Sequence, residues 1–179
     1  MIVKKLTSSG FRNFNELEFC PNENMNVIFG DNAQGKTNLL EAIWLFCGAK
    51  SFRGAKDSEL LGFEKQRAIN SLDFVFGGVE KNAKIIIEDK RKAELSGKKL
   101  SSAAALAGEF YAIVFSPADL NLINDGPAVR RRFLDTAIGQ LYPIYNEKLR
   151  NYYKAVAQRN SILRDIKYNS DVEYFLDDF

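Results

Sequence analysis

At 179 residues the chain is long enough to bury a real core without a disulfide, a structural metal or a repeat array. Hydrophobic residues at 46% and charged residues at 27% exclude disorder as the main state, and 25 Lys and Arg against 23 Asp and Glu leave only +2, so the average charge points to no polyanionic partner. The chain has no histidine, which removes the commonest metal ligand and general base; two separated cysteines do not replace it, and zinc-hydrolase and histidine-base chemistries are excluded.

Cys20 and Cys47 cannot build a multi-bridge framework, and each stands beside an apolar segment where free cysteines hide, so both are read as buried thiols of a reducing compartment. The N-terminus lacks a signal-peptide core, and no run approaches the roughly 18 to 20 apolar residues of a membrane span. The expectation is a cytoplasmic protein with no membrane partner.

In chain order, Gly10-Phe11-Arg12-Asn13-Phe14 and the alternating Leu17-Glu18-Phe19 read as strands. After a Pro21-Asn22 turn, Val27-Ile28-Phe29 reads as a short buried strand at their side. Beyond Gly30 the period changes: Leu39, Leu40, Ile43, Trp44 and Phe46 form one broad apolar face of a helix from about Lys36 to Phe46. Residues 50–66 read as a loop with a short helix near Ser58 to Leu61. Residues 69–76 and 83–88, with Gly77-Gly78 between them, read as a hairpin, and 110–115 as a further strand ending at Ser116-Pro117. From there the pattern is helical, with one stripe at Phe133, Leu134, Ala137, Ile138 and Leu141 and another at Leu149, Tyr152, Tyr153, Val156 and Ile162, separated by Pro143. The division expected is an α/β part at 1–116 and the start of a helical part at 117–179. The closing Tyr174-Phe175-Leu176-Asp177-Asp178-Phe179 has no terminating signal, so the natural chain is expected to continue.

Gly30-Asp31-Asn32-Ala33-Gln34-Gly35-Lys36-Thr37 fits the phosphate-loop pattern G-x-x-x-x-G-K-[ST] without a mismatch. Such a loop needs a strand ahead, backbone N–H groups turned inward, and a helix whose first turn offers unpaired donors and the positive end of its dipole. In this reading residues 30–38, Asn38 included, hold a nucleotide. Lys36 reaches the β and γ phosphates and Thr37 supplies a hydroxyl to Mg2+. The loop does not name the base, so ATP rests on base rates. No buried apolar strand ends in the Asp that would complete the magnesium site: the segment 111–115 runs into Ser116, and Glu173 interrupts the one before Asp177-Asp178. No catalytic residue is therefore assigned, and the chain alone is expected to be inactive as an ATPase. Leu95-Ser96-Gly97-Lys98-Lys99 begins like a cassette signature but reads as a solvated turn.

With its flanks the loop resembles the RecF family of bacterial recombination-mediator ATPases, relatives of the structural-maintenance-of-chromosomes proteins. The matching segments are Phe11-Arg12-Asn13-Phe14; the loop with Asn38-Leu39-Leu40-Glu41-Ala42-Ile43; Ser51-Phe52-Arg53; and Phe115-Ser116-Pro117-Ala118-Asp119-Leu120, followed by Gly126-Pro127 and Arg130-Arg131-Arg132-Phe133-Leu134-Asp135. The resemblance implies a P-loop NTPase of the ABC/SMC type, with mixed strands around the strand-loop-helix unit, followed by a helical lobe. It implies a longer protein whose C-terminal half carries the cassette signature and Walker B acid, dimerisation around two ATP molecules, and weak hydrolysis that releases the dimer. It also implies binding to double-stranded and gapped DNA, action with RecR and RecO at single-strand gaps, and help in loading RecA. The competing readings are a small P-loop kinase and a non-catalytic nucleotide-sensing scaffold.

Arg12 and Arg53, beside aromatic residues, are candidates for nucleotide or DNA contact by analogy with that superfamily. Arg130, Arg131 and Arg132 are candidates too, although three consecutive helical residues spread over about 200 degrees and Asp135 stands where it would pair with Arg131 or Arg132. The basic runs at 81–99 and 148–167 suit phosphate backbones or a solvated face, and neither looks like a recognition helix. Tyr142, Tyr145, Tyr152 and Tyr153 suit stacking on bases or packing of the helical lobe, and are read as packing.

Overall fold

A computed structural model describes residues 1–166 apart from Ala49, Ile123 and Asp125. The acidic C-terminal segment, with Tyr174 to Phe179, lies outside the described residues, as does Lys167 at the end of the second basic run.

Among the described residues, six antiparallel strands form one sheet in the order β2-β1-β3-β4-β5-β6. They are β1 (Ile2–Phe11), β2 (Phe14–Phe19), β3 (Ala68–Phe76), β4 (Val79–Ile87), β5 (Arg91–Leu95) and β6 (Lys98–Lys99). Alternation explains the register: Leu6, Leu72 and Ile85 turn to one face and are fully buried, while Lys5, Thr7, Ser71 and Lys84 lie between them. The β3–β4 hairpin turns on Gly77 and Gly78, both at positive φ, as a two-residue connection requires. Ser96 and Gly97 make the equivalent turn between β5 and β6, so the signature-like residues form a solvated turn.

Against the buried face lie α1 (Lys36–Trp44), the 3-10 turn Leu45–Cys47 that continues it, and a 3-10 turn at Asp57–Leu60. Phe11, Phe46, Phe74 and Phe110 fill the centre, with edge-to-face ring pairs Phe46–Phe110 and Phe74–Phe110. Cys47 is buried here as expected, and burial pushes its thiol up to about 12; Cys20 is exposed instead, because it follows the last residue of an edge strand. Within the apolar face of α1 one position differs from expectation. Leu40 is exposed and Glu41 is buried, which the charge of Arg12 makes tolerable.

The two apolar segments expected as further strands are not strands. Residues 25–30 and 111–116 enter no ladder, although Ala112 and Val114 pack against the core. Phe29 is 88% exposed and Ile113 is 98% exposed. Neither segment pairs with an edge of the six-stranded sheet, and an apolar run becomes a buried strand only where a neighbour satisfies its backbone and covers its face.

The helical part comprises a 3-10 turn at Pro117–Leu122, α2 (Pro127–Leu141) and α3 (Pro143–Ile166). Pro127 opens α2 and Pro143 opens α3, each where a missing N–H costs nothing. The hairpin is tight at Gly139, where a Cβ would fall 2.2 Å from Asn146 Oδ1. The expected stripes bury less than their pattern suggests, since Phe133, Leu134, Leu141, Tyr152 and Tyr153 are exposed; Tyr142, also expected to pack the helical lobe, is exposed with them. Two helices present only one seam to each other, and the remaining apolar face has no cover among the described residues. No described helix is long and apolar enough to cross a membrane.

Candidate functional site

The chain reaches the phosphate loop outside the sheet and turns at Gly30 (φ 141°), Ala33 (φ 65°) and Gly35 (φ 100°). Gly35 is also a steric necessity, since a Cβ there would stand 2.7 Å from the Phe14 ring and 2.8 Å from Asn13 Oδ1. The β1–β2 turn is thereby pressed against the loop. Ala33 holds a left-handed conformation that glycine would adopt without strain.

Helix α1 begins directly after Gly35. No side chain caps it and no acidic residue stands in its first turn, so the N–H groups there and the helix dipole remain open to an anion. Lys36 arches back over the loop, its ammonium donating to the carbonyls of Gly30 at 2.7 Å and Asp31 at 2.6 Å. The ammonium therefore sits at the mouth of the uncapped turn, where phosphate oxygens would replace the two carbonyls as acceptors. Asp31, Asn32, Ala33, Gln34 and Thr37 are exposed along the same rim. These features fit a nucleotide's phosphate chain. Among the described residues, no group of three or more Cys, Asp or Glu gathers to hold a metal by itself, so a magnesium ion here would depend on Thr37 and phosphate oxygens.

Beneath the loop the candidates Arg12, Arg53 and Asn38 meet two side chains, Glu41 and Ser51, to which motif reading gave no role. Glu41, one turn into α1 and fully buried, accepts from Arg12 Nε at 2.9 Å and Arg12 Nη2 at 3.0 Å. Ser51 donates its hydroxyl to Glu41 Oε1, and Arg53 Nη1 stands 3.7 Å from Glu41 Oε2. Arg53 Nη1 also donates to Asn38 Oδ1 at 2.9 Å, and Asn38 Nδ2 donates to Asn13 Oδ1 at 2.8 Å. Arg12, at φ 53° in the turn, also donates to the Glu59 carbonyl at 2.7 Å. Its guanidinium is thus directed inward to Glu41, whereas Arg53 remains half exposed beside the first turn of α1. The signal for Glu41 in the sequence was a carboxylate amid the apolar residues of an amphipathic helix.

Arg130, Arg131 and Arg132 are exposed in the first half of α2. Arg132 reaches the Phe52 carbonyl at 3.5 Å, a long contact that brings the helical part to the Arg53 loop. Asp135, expected beside Arg131 or Arg132, instead accepts from the Tyr145 hydroxyl at 2.5 Å, a bond that raises the tyrosine pKa. The structure thus brings Arg12, Arg53 and Asn38 together around Glu41 and the first turn of α1, and places Arg132 of α2 against the Arg53 loop.

An antiparallel sheet carrying a glycine loop and an uncapped helix with a lysine at its mouth, followed by a helical lobe, defines a Walker-type ATPase lobe of the AAA/ABC kind. The AAA domain model matches residues 5–179, and the chain belongs to that family. It is also homologous in sequence and structure to the N-terminal portion of bacterial RecF. The DNA replication and repair protein RecF of Agathobacter rectalis is 40% identical over 180 residues, covering 96% of this chain and 48% of that protein. That of Lachnospira eligens is 38% identical over 171 residues, covering 94% and 47%. A solved structure of the recombination mediator protein RecF with ATP superimposes with a TM-score of 0.91 at 34% identity, covering 98% of this chain and 48% of that one. The SMC head domain from Thermotoga maritima, at 23% identity and a TM-score of 0.50, shares the fold. The chain spans about half the length of the curated relatives it matches.

Proposed function

We propose that the chain is the nucleotide-binding portion of an ATP-dependent DNA-repair protein, a recombination mediator that acts on double-stranded DNA at single-strand gaps. The observation that carries this reading is the uncapped start of α1 with the Lys36 ammonium at its mouth, on a chain similar over nearly its whole length to RecF proteins. In this account the backbone of Gly30, Asp31, Asn32, Ala33, Gln34 and Gly35 cradles ATP, Lys36 neutralises its β and γ phosphates, and Thr37 with Asn38 completes the first turn, Thr37 toward Mg2+. ATP closes a homodimer on DNA and hydrolysis opens it, with RecO and RecR as partners and RecA loading as the outcome. The acid that activates water and the facing signature belong to the part of the relatives outside the match. Residues 117–166 begin a helical lobe whose arginines lie toward DNA or the lobe interface.

The test is ATP turnover by the 179-residue chain with and without gapped duplex DNA, beside Lys36→Ala. Background turnover in every case, with nucleotide retained only when Lys36 is present, is the expected result. Turnover that Lys36→Ala abolishes would place the missing acid within these residues and overturn the split-site account.

A further inference from the structure

The nucleotide reading uses the loop and leaves a buried carboxylate unexplained. Glu41 has no exposure to solvent and is satisfied by a bidentate guanidinium and a hydroxyl. One carboxylate serves two guanidiniums, so the cluster of Glu41, Arg12 and Arg53 keeps a net positive charge. That surplus falls on Arg53, since Arg12 holds both carboxylate oxygens at hydrogen-bond distance and Arg53 stands at 3.7 Å.

Ser51 sets where Arg53 stands. Its buried hydroxyl donates to Glu41 and accepts from the Arg53 backbone N–H at 3.1 Å, using its one donor and one of its acceptor sites. Trp44 tethers the same segment by donating from Nε1 to the Lys50 carbonyl at 2.8 Å. The loop carrying Arg53 is therefore fastened to α1 at two points. The guanidinium leans on Asn38, whose own amide contacts Asn13, the residue packed over Gly35.

We propose that Ser51 and Glu41 are positioning residues that hold the Arg53 guanidinium beside the mouth of the phosphate loop, where the phosphate chain of a nucleotide takes it over from Asn38 and Glu41. The proposal rests on the nucleotide reading above. Arg53 Nη1 donates to Asn38 and stands 3.7 Å from Glu41, while Arg12 holds both carboxylate oxygens and fixes Glu41 in place. The division of labour follows from geometry: one arginine is spent on the fold and the other is kept at the rim.

The experiment is calorimetric titration of the chain with ATP and magnesium for the unsubstituted protein, Ser51→Ala, Arg53→Ala, the double variant and Lys36→Ala. Ser51→Ala leaves the Arg12–Glu41 pair whole, so it removes the tether without stranding a buried charge. Arg53→Ala is expected to weaken binding about 10-fold and Ser51→Ala about 5-fold, with the double variant no weaker than Arg53→Ala alone. That non-additivity is a signature that general loosening of the fold would not produce. Unchanged affinity in Ser51→Ala, or losses that multiply in the double variant, would overturn the proposal. Unchanged affinity in Lys36→Ala would instead overturn the nucleotide reading, and the proposal with it.

Discussion

Two sets of apolar residues in this chain look alike in sequence and end in opposite environments. Ile85 and Ile87 in β4 are fully buried between paired strands, whereas Phe29 and Ile113, in runs at least as apolar, are almost fully exposed. The difference is not hydrophobicity. The β4 residues have hydrogen-bonded strands on both sides and the 3-10 extension of α1 against them, and the segments at 25–30 and 111–116 pair with no strand. The polar residues show the same rule inverted: Glu41 is buried because Arg12 and Ser51 satisfy it, while the less polar Asn32 and Gln34 of the loop remain at the surface.

The largest expected effect attacks the buried pair. Glu41→Ala leaves the Arg12 guanidinium with little to neutralise it and should cost about 3–5 kcal/mol in denaturant unfolding. A cost under about 1 kcal/mol, the size seen for surface pairs, would mean that the pair is effectively solvated. Next, Ile85→Ala should cost about 2–5 kcal/mol through lost burial and a cavity, measured in the same way. The exposed counterpart, Ile113→Ala, should stay within about 0.5 kcal/mol; a cost matching that of Ile85→Ala would erase the contrast between the two regions.

A subtler effect concerns alkaline pH. Burial raises the Cys47 thiol from 9.0 to about 12, so the folded state keeps its proton where the unfolded state loses it. The contribution is fully present below about pH 9, fades as pH rises through that window and is gone near pH 12. Unfolding free energies measured across that window should fall more steeply for the unsubstituted chain than for Cys47→Ala, and parallel curves would contradict the assignment.

Much of this was legible in the sequence because local chemistry decides it. The glycine-rich loop, the period change into α1, the Gly77-Gly78 hairpin and the proline that separates α2 from α3 are each set by a few adjacent residues. The pattern also specified the apolar stripes of α2 and α3, though not that much of them would remain uncovered. What escaped depended on partners distant in the chain. Val27-Ile28-Phe29 has the composition of a buried strand, but composition does not reveal whether a neighbour exists. Glu41 reads as one residue of a helix until Arg12, 29 positions earlier, and Ser51, 10 later, are brought to it. Arg12 and Arg53 looked equivalent beside their aromatic neighbours, and only the geometry around Glu41 turns one inward and leaves the other at the rim.

The central claim is that residues 30–37 form a phosphate site worked by Lys36. The most direct measurement is the affinity of the chain for ATP with magnesium, for the unsubstituted protein and for Lys36→Ala. The account predicts saturable one-to-one binding that Lys36→Ala weakens by about 100-fold, roughly the loss of a charge-assisted contact in a pre-formed site. Equal binding by both proteins, or none by the unsubstituted chain, would contradict it.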